Sequence, residues 1–277
     1  MSTITELLQF YHKLDSESAR LDTELLLSYV LGKNRSYIYT WPEKEVEVEY
    51  AQKFIQLINR RKKGEPIAHI LGYRDFWSIT LDVNASTLIP RPETETLIKW
   101  AMDLELPEQA RVLDLGTGSG AIALALACEN PLWEIYGSDI SAQAIALANK
   151  NCRNLGVKNV RLQVSDWYQS ISSGLYDLIV SNPPYIAVGD ECLKRGDLRY
   201  EPASALVADK MGLADLEKVI TGAEKFLSDD GWLLLEHGFE QAFAVRKMLN
   251  KSGFTGVLTR RDLSGNDRVS GGFLSYG

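Results

Sequence analysis

The sequence predicts an α/β chain in which a small helical bundle precedes a mainly parallel sheet with helices on both faces. Three observations predict this fold. Up to about residue 64, apolar residues recur at helical spacing. After Pro107, short apolar runs alternate with helical stretches. The length of 277 residues is enough for one large or two ordinary domains.

The first region is predicted to hold four or five helices. Apolar residues recur every three or four positions in Leu7–Leu14, Leu21–Tyr29 and Phe54–Ile58. The segments LGKNRS and WPEKEV interrupt this pattern and indicate turns between helices. The region has no acid/base cluster and no glycine loop, so we expect its role to be recognition or scaffolding.

The residue types change between Ile67 and Pro92. The stretch DFWSITLDVN is rich in β-branched and aromatic residues, and LIPRPET then places two prolines around Arg91. This pattern indicates a hairpin or an extended linker.

The remainder of the chain alternates between predicted strands and predicted helices. Strands are expected at ARVLDLG, EIYGSDI, VRLQVSD, YDLIVSNP, GWLLLEHG, TGVLTRRD and RVSGGFL. Helices are expected at GAIALALACEN, SAQAIALANKNCRNL, MGLADLEKVITGAEKFL and EQAFAVRKMLNKSG. Such alternation predicts βαβ units and a mainly parallel sheet. Ligands of such sheets bind outside the carboxyl ends of the strands, so the residues that follow each strand are the candidate site.

The composition disfavours several other classes of protein. Three widely separated cysteines, with no CxxC spacing, argue against a zinc site or a disulfide framework and fit the cytoplasm. The N-terminal stretch has an acid at Glu6 and no long apolar core, so we expect no signal peptide. No apolar run approaches the roughly 20 residues of a membrane span, so no membrane association is expected.

The charge distribution disfavours tight binding to nucleic acid. The net charge is −7, and residues 1–80 are balanced with 11 Lys/Arg and 11 Asp/Glu. The rest of the chain carries 19 Lys/Arg against 26 Asp/Glu. Tight duplex binding is largely neutralisation of phosphates by Lys and Arg, and an acidic second half does not supply it. The basic run Arg60–Lys63 precedes Gly64 and indicates the solvated end of a helix.

A glycine loop follows the first strand of the second region. It reads DLGTGSG, from Asp114 to Gly120. Its glycines allow a tight turn and a close approach of backbone to ligand. The spacing is G-x-G-x-G, whereas the dinucleotide fingerprint is G-x-G-x-x-G. Because a pyrophosphate favours a helix N-terminus without a nearby acid, Asp114 is better suited to a cationic amino group, such as that of S-adenosylmethionine.

An acid, Asp139, ends the second strand about 20 residues past the glycine loop, the distance at which an acid accepts hydrogen bonds from ribose hydroxyls. It would serve NAD or S-adenosylmethionine equally. Asp139 and Ser141 could alternatively cap the next helix. The glycine loop at its proper distance favours nucleoside binding.

The third strand ends in VSDWY. Asp166 could accept from an adenine amino group, and Trp167 could cover an adenine face. Ordinary core packing is the alternative for Trp167.

The fourth strand ends in SNPPY, which offers acceptors for a planar amino group. Such a nitrogen has a delocalised lone pair and is a poor nucleophile. The Asn182 side-chain oxygen and the Pro183 carbonyl are two acceptors for its hydrogens, since neither Pro183 nor Pro184 has an N–H. Tyr185 offers a face for stacking. By itself the tetrapeptide could be only a proline-rich turn, but after a strand, together with DLGTGSG and GSD, it indicates a site.

With these motifs the chain closely resembles the HemK/PrmC family, the protein-(glutamine-N5) methyltransferases of peptide chain release factors. The resemblance spans the whole chain and includes RRKKGEPIAHILGYRDFW, TLIPRPETE, VLDLGTGSGAIALALA, SDWY, SNPPYI, LRYEPASALVA and LLLEHG. It implies a class I S-adenosylmethionine-dependent methyltransferase fold, Rossmann-like with a mostly parallel seven-stranded sheet, after an N-terminal helical bundle. The implied domains are 1–75 for release-factor recognition, 76–95 as a hairpin linker and 96–277 for catalysis.

The resemblance implies methylation of the side-chain amide of the glutamine in the Gly-Gly-Gln motif of release factors, in the cytoplasm. The cofactor is S-adenosylmethionine, its product is S-adenosylhomocysteine, and no metal is expected. The residues expected to hold the cofactor are Asp114, Gly116, Thr117, Gly118, Ser119, Gly120, Asp139, Asp166, Trp167 and Asn182. The residues expected to bind the glutamine are Asn182, Pro183, Pro184 and Tyr185, of which Asn182, Pro183 and Tyr185 are the catalytic set.

Other residues have less definite roles. Arg91 and Glu201 are expected to shape the substrate pocket, although a hairpin clamp and a loop salt bridge explain them equally well. His69 and His237 are expected to be structural, because amide methylation needs no histidine base. The expected partner is a release factor, with no stable nucleic acid, no membrane and a monomeric enzyme.

Three alternative functions differ in chemistry. An adenine-amino methyltransferase would share Asn182, Pro183 and Tyr185 but needs a flipped base and phosphate contacts, which the acidic balance disfavours. An NAD-dependent oxidoreductase is disfavoured by the glycine spacing. A non-catalytic scaffold is disfavoured by the presence of both Asn182 and Asp139.

Overall fold

The structure, a computed structural model, describes residues 2–172 and 174–275. The chain folds as two compact units. Unit 1 is Met1–Tyr73 together with Lys194–Tyr200, and unit 2 is Arg74–Leu193 together with Glu201–Gly277. The domain boundaries near residues 75 and 95 remain predictions.

Unit 1 is a helical bundle. Its helices are α1 (Ile4–Leu8), α2 (Ala19–Leu31), α3 (Arg35–Thr40), α4 (Val48–Lys62) and α5 (Ile67–Leu71). Two short strands, β1 (Ser2–Thr3) and β2 (Glu45–Val46), pair antiparallel. Short 3₁₀-helices are formed by Gln9–Lys13 and Gly196–Tyr200. The predicted small helical bundle is thus confirmed.

The ends of these helices follow local sequence signals. Thr3 and Glu6 form a capping box that satisfies the first N–H groups of α1. Gly32 adopts the left-handed conformation that ends α2. The basic run at the end of α4 complements the helix dipole, and within it Arg61 donates to Asp22 at 2.8 Å and to Asp197 at 3.2 Å. The Asp197 contact holds the 194–200 segment in unit 1.

The core of unit 1 comes from the apolar face of each helix. Its fully buried members include Ile4, Leu7, Leu26, Leu27, Ile38, Phe54 and Ile58. They are drawn from α1 to α4 at the three- and four-residue spacing that predicted the helices.

Unit 2 contains the remaining elements. Its helices are α6 (Glu95–Met102), α7 (Ala121–Glu129), α8 (Ala142–Leu155), α9 (Asp209–Gly212), α10 (Ala214–Ala223) and α11 (Ala242–Lys251). Its strands are β3 (Tyr73–Phe76), which begins one residue before the unit, β4 (Ile79–Asp82), β5 (Arg111–Leu115), β6 (Glu134–Asp139), β7 (Val160–Val164), β8 (Tyr176–Ser181), β9 (Ile186–Ala187), β10 (Val207–Ala208), β11 (Leu227–Glu236), β12 (Thr255–Arg261) and β13 (Asp267–Phe273). Pro92–Thr94, Glu191–Lys194 and Ala203–Ala205 form 3₁₀ turns, of which the second runs one residue into unit 1.

The main sheet of unit 2 is mostly parallel. Over the described residues it has seven strands in the order β12-β13-β11-β8-β5-β6-β7. The pairs from β11 to β7 are parallel, and β13 runs antiparallel to both of its neighbours. The predicted Rossmann-like sheet is confirmed. The pairs β3–β4 and β9–β10 lie outside this sheet.

The alternation of side chains along each strand builds two apolar layers. Val112 on β5 and Val180 on β8 pack with α6 and α7 on one face, while Leu113 and Ile179 pack with α10 and α11 on the other. Helix α7 is apolar all round, and its residues Ile122 to Ala127 are buried. Across the described residues, no helix is long and apolar enough to span a membrane.

The parallel pairing brings the candidate motifs to one edge of the sheet. The glycine loop follows β5, Asp139 ends β6, Asp166 comes shortly after β7 and Asn182 follows β8 directly. Because Leu235 is opposite Ser181 in the parallel register, Glu236 at the end of β11 belongs to the same edge.

Candidate functional site

A cavity of about 320 Å³ lies at this edge of the sheet. Of the predicted site residues, those that line it are Gly116, Thr117, Gly118, Ser119, Asp139, Asp166, Trp167, Asn182 and Pro184. The structure therefore brings the residues predicted for a nucleoside and those predicted for a planar amino group to one cavity. The roles of individual residues remain predictions.

The glycine loop has the conformation that its sequence indicates. Gly116, Gly118 and Gly120 all have positive φ, at 73°, 58° and 86°. The backbone N–H groups of Gly116 and Thr117 both donate to the Ser138 carbonyl at 2.8 Å. A side chain at these glycines would be strained, and the absence of one leaves the backbone open to a ligand.

Asp139 connects the glycine loop to the start of α8. One carboxylate oxygen accepts from the Gly118 N–H at 2.9 Å, and the other accepts from the Ser141 N–H at 2.8 Å. Burial raises the pKa of Asp139, and these two hydrogen bonds oppose that rise. Each carboxylate oxygen keeps a further lone pair, so Asp139 can still accept from a ribose.

Asp114 lies beneath the loop and does not line the cavity. Its carboxyl group is fully buried and accepts from the Thr117 hydroxyl at 2.6 Å and from the Ala123 N–H at 3.2 Å. Burial raises its pKa to about 7, and the nearby Asp139 adds to the rise. In this position Asp114 stabilises the loop through hydrogen bonds from the side that faces away from the cavity. Its contact with a cofactor amino group remains a prediction.

Asp166 and Trp167 line the cavity on the side of β7. Trp167 has a positive φ of 48°, which is uncommon for a residue with a side chain. A Cβ at Gly116 would lie 3.8 Å from the Trp167 ring, so the indole packs against the glycine loop. A strained backbone at a cavity wall is the pattern expected where the position of a side chain matters for binding.

The Asn-Pro-Pro-Tyr segment contributes two of its residues to the cavity wall. The side-chain nitrogen of Asn182 donates to the Thr94 hydroxyl oxygen at 3.3 Å, and Pro184 lies beside Asn182 in the lining. Pro183 is buried. Tyr185 donates its hydroxyl to Glu236 at 3.1 Å, and its ring packs against the core layer of α10 and α11.

Three other predicted residues form pairs of their own outside the cavity lining. Arg91 and Glu201 form a salt bridge of 2.5 Å in which the Glu201 side chain is fully buried. His237 contacts the Gly238 carbonyl oxygen at 2.8 Å and the Ser270 hydroxyl at 2.7 Å. Burial lowers the pKa of His237 to about 4, so the ring is neutral at physiological pH.

Several lining residues were not predicted from the sequence. Thr87 and Thr94 come from the segment before α6, Ile140 follows Asp139, and Asp215 and Lys218 come from α10. Ile140 is 65% exposed although it is apolar, which suits an edge that a flat ligand covers. Both threonines belong to the motif TLIPRPETE, from which the sequence predicted a role for Arg91 alone.

The charges of the cavity wall fit a nucleoside better than a pyrophosphate. The acids of the wall are Asp139, Asp166 and Asp215. Among the described residues that line the cavity, Lys218 is the one cation, and it forms a salt bridge with Asp215 at 2.8 Å. A pyrophosphate would require several donors or cations here, whereas a cationic ligand suits this wall. The buried hydroxyl of Thr87 also lines the cavity without a hydrogen-bond partner in the described chain. The residues therefore fit S-adenosylmethionine, and the described residues hold no cluster of metal-ligating side chains.

Two family models match the chain in sequence order. The PrmC N-terminal domain matches residues 4–72, and the methyltransferase small domain matches residues 94–194. The first match falls on the helical bundle, and the second includes the glycine loop, Asp139 and the Asn-Pro-Pro-Tyr segment.

Solved structures with the same fold are more distant in sequence. The hMettl16 catalytic domain aligns with a TM-score of 0.59 at 15% identity, over 91% of each chain. A methyltransferase from Pyrococcus furiosus aligns with a TM-score of 0.54 at 18% identity, over 70% of this chain and 88% of that chain. At these identities the likeness establishes the methyltransferase fold alone.

Curated relatives are much more similar and cover nearly the whole chain. Release factor glutamine methyltransferases match from Shewanella oneidensis (51% identity, 98% of this chain and 96% of the relative), Pseudomonas aeruginosa (49%, 98% of both) and Escherichia coli (46%, 92% of both). The chain belongs to the release factor glutamine methyltransferase family.

Proposed function

We propose that this enzyme transfers a methyl group from S-adenosylmethionine to the side-chain amide nitrogen of the glutamine in the Gly-Gly-Gln motif of peptide chain release factors. The observation that carries the proposal is that Asn182 shares one cavity with the glycine loop and Asp139. A site for a planar amino group thus adjoins a site for a nucleoside. The full-length similarity to release factor glutamine methyltransferases supports the choice of substrate.

The cofactor site uses the chain's acids and its glycine loop. Asp139 would accept from the ribose hydroxyls, while Trp167 and Ile140 would cover the faces of the adenine. The amides and carbonyls of Gly116 to Gly118 would contact the amino-acid end, with Asp114 supporting the loop. When bound, S-adenosylmethionine supplies a methyl group on a positively charged sulfur.

Asn182 and the Pro183 carbonyl would hold the glutamine amide by its two hydrogens. These acceptors restrict rotation of the amide and raise the electron density on its nitrogen. The nitrogen lone pair forms the new N–C bond as the S–C bond breaks, and the electron pair of that bond stays on sulfur. The nitrogen then loses a proton to solvent. Positioning of the amide against the methyl group supplies most of the rate.

The helical unit 1 would recognise the body of the release factor. It exposes large aromatic side chains, among them Trp41 at 56% and Tyr39 at 50% exposure. Aromatic residues are enriched in protein interfaces because they bury much area at low cost in side-chain entropy. The partner is a protein, consistent with the net charge of −7.

Labelled S-adenosylmethionine tests this function directly. The enzyme is incubated with the labelled cofactor and a release factor, the same release factor with its Gly-Gly-Gln glutamine changed to alanine, or duplex DNA. We expect label only in the unchanged release factor. Label in DNA, or equal label in both release factors, would refute the proposal.

A further inference from the structure

A buried carboxyl group lies behind the Asn-Pro-Pro-Tyr segment. Glu236 ends β11, is 1% exposed and does not line the cavity. Its Oε1 accepts from the Tyr185 hydroxyl at 3.1 Å. Its Oε2 is also buried and has no hydrogen-bond partner among residues 2–172 and 174–275. A buried acceptor without a donor lowers the stability of the fold, so a donor close to this oxygen would be favourable.

Thr94 is the neighbour that can complete this arrangement. It is 4% exposed, and its hydroxyl lies beside the Glu236 carboxyl, where it favours the ionised form. The oxygen of that hydroxyl already accepts from the Asn182 side-chain nitrogen at 3.3 Å. A threonine hydroxyl has one proton to donate as well as two lone pairs. Its proton is therefore available to Glu236 while its lone pair holds Asn182.

The charge state of Glu236 sets the direction of this chain of hydrogen bonds. An ionised carboxylate can only accept, so Thr94 donates to it and must accept from Asn182. The Asn182 amide nitrogen is then held at Thr94, and its oxygen is left for the substrate. A protonated Glu236 could donate to Thr94 instead. The Thr94 proton would then turn to Asn182 and bind its oxygen, which leaves an N–H₂ group facing the substrate.

We propose that Glu236 is a positioning residue of the methyl transfer, which orients the Asn182 amide through Thr94 and holds the hydroxyl of Tyr185. It thereby connects both ends of the Asn-Pro-Pro-Tyr segment. With the carboxylate form, Asn182 presents its oxygen to the N–H of the substrate amide. The kinetic consequence of this inference rests on the proposed function. The hydrogen-bond network itself is independent of that function.

The surroundings of Glu236 make its ionisation sensitive to pH. Burial raises its pKa to about 7, and Glu93 adds to the rise, while Thr94, Arg268 and Tyr185 oppose it. Arg268 on β13 is also bound to Asp262 at 3.1 Å. Burial raises the pKa of Tyr185 far above its ordinary value, so Tyr185 stays a neutral donor.

The remaining charged or titratable neighbours do not change this picture. His237 follows Glu236 in β11, and its low pKa keeps it neutral near pH 7. Arg91 lies near Tyr185 and is bound to Glu201 at 2.5 Å. Near pH 7 the group that changes its charge among these neighbours is therefore Glu236.

NMR titration of the enzyme alone tests the network without requiring activity. The side-chain carboxyl ¹³C signal of Glu236 is assigned by its loss in Glu236→Gln and followed across pH. We expect a midpoint near 7. The side-chain ¹⁵N signal of Asn182 should shift with the same midpoint, and this shift should vanish in Thr94→Val. An Asn182 signal that ignores the Glu236 titration would overturn the proposal, whatever the enzyme methylates.

Kinetics then test the role in transfer, at saturating concentrations of both substrates. Wild-type kcat should rise with pH through about 7, whereas Glu236→Gln should lack this rise. At pH 8, Glu236→Gln and Thr94→Val should each lose about ten- to a hundredfold in kcat, since a hydrogen bond to a charged group is lost or misdirected. Thr94→Ser keeps the hydroxyl and should keep most of the rate.

Glu129→Gln is the matched control. Glu129 ends α7 and is a carboxylate that also accepts from two side chains, Trp77 at 2.7 Å and Ser78 at 2.9 Å, but neither donor belongs to the Asn-Pro-Pro-Tyr segment or to the network of Glu236. It should retain the wild-type pH profile. Binding of S-adenosylmethionine, measured by calorimetry, should be unchanged in all variants. A pH rise that persists in Glu236→Gln, or full kcat in Thr94→Val, would contradict the positioning role.

Discussion

Asn182 is the residue on which the proposed chemistry depends most directly. It follows β8, lines the cavity and is held at its nitrogen by Thr94. No other side chain of the Asn-Pro-Pro-Tyr segment offers an acceptor for an amide hydrogen in the cavity, because the proline side chains have none and Tyr185 does not line the cavity.

Replacement of Asn182 by alanine should therefore remove transfer and spare the cofactor. We expect kcat to fall by about a hundredfold or more, since the substrate amide loses its alignment. Calorimetry should show near-normal binding of S-adenosylmethionine. Asn250→Ala is the control, because the hydrogen bond that this amide donates, to the Arg246 carbonyl, stays within its own helix. Wild-type kcat in Asn182→Ala would remove the role assigned to this residue.

Asp114 should make the stability of the protein depend on pH. Burial raises its pKa to about 7 in the folded state, from 3.8 for an unperturbed aspartate. Between these values the folded protein binds more protons than the unfolded chain, so this contribution to stability is full below pH 3.8 and is lost as pH rises to about 7.

Asp114→Asn should therefore be more stable than the wild type at pH 8 without cofactor. The predicted gain in the free energy of unfolding is about 2–4 kcal/mol, and it should shrink toward pH 4. Urea unfolding at several pH values measures it. A gain that is independent of pH would show that the asparagine acts through packing and that Asp114 is ionised throughout.

At the scale of elements, the turn before α10 supports the Asn-Pro-Pro-Tyr segment. Gly212 ends α9 with a φ of 81°, and a Cβ there would lie 2.0 Å from the Tyr185 carbonyl oxygen. Gln241 donates to the same oxygen at 3.0 Å. The backbone that carries Tyr185 is therefore in direct contact with a residue that must be glycine.

Gly212→Ala should displace Tyr185 and reduce kcat. The matched control is Gly156→Ala, because Gly156 also has a positive φ, of 69°, but a Cβ there meets nothing within 4 Å. The strained φ should lower the stability of both variants by about 1 kcal/mol. Only Gly212→Ala should also have a lower kcat. Equal kcat in the two variants would show that displacement of the Tyr185 backbone does not affect catalysis.

The helical unit should contribute to substrate affinity and not to chemistry. Trp41→Ala removes a large exposed ring from unit 1. We expect a higher KM for the intact release factor, by about fivefold to thirtyfold for an aromatic interface residue, with kcat unchanged. Leu132→Ala, similarly exposed at 57% in unit 2, is the control. A fall in kcat with unchanged KM in Trp41→Ala would contradict the recognition role.

Local patterns in the sequence predicted the fold and the centre of the site. The glycine loop follows β5 directly, Asp139 ends β6, and Asp166 and Trp167 come two and three residues after β7. Parallel strands bring such residues to one edge. Two-residue alternation also explains why Asp114 shares the side of Val112 and lies beneath the loop.

The residues that hold Asn182 and Tyr185 in place could not be predicted from local patterns in the sequence. Thr94 and Asn182 are 88 positions apart, and a lone threonine carries no pattern of its own. Glu236 follows the apolar run Trp232–Leu235 at the end of β11, and only the register of β11 against β8 places it beside the site. Such contacts arise from tertiary structure alone.

For the whole molecule, we propose that recognition and chemistry belong to different units. Unit 1 is a bundle with exposed aromatic residues, and unit 2 carries the cavity, Asn182 and Glu236. The acidic balance of the chain suits a protein substrate, and the wall of the cavity suits a cationic nucleoside. The methyl acceptor that we propose is a glutamine amide nitrogen.

Mass spectrometry of the methylated release factor identifies the acceptor atom. After reaction with isotopically labelled S-adenosylmethionine, the release factor is digested and its fragments are sequenced. We expect a single labelled methyl group on the side-chain nitrogen of the Gly-Gly-Gln glutamine. A methyl group on a different residue, or an unmodified glutamine after complete turnover of the cofactor, would contradict this proposal.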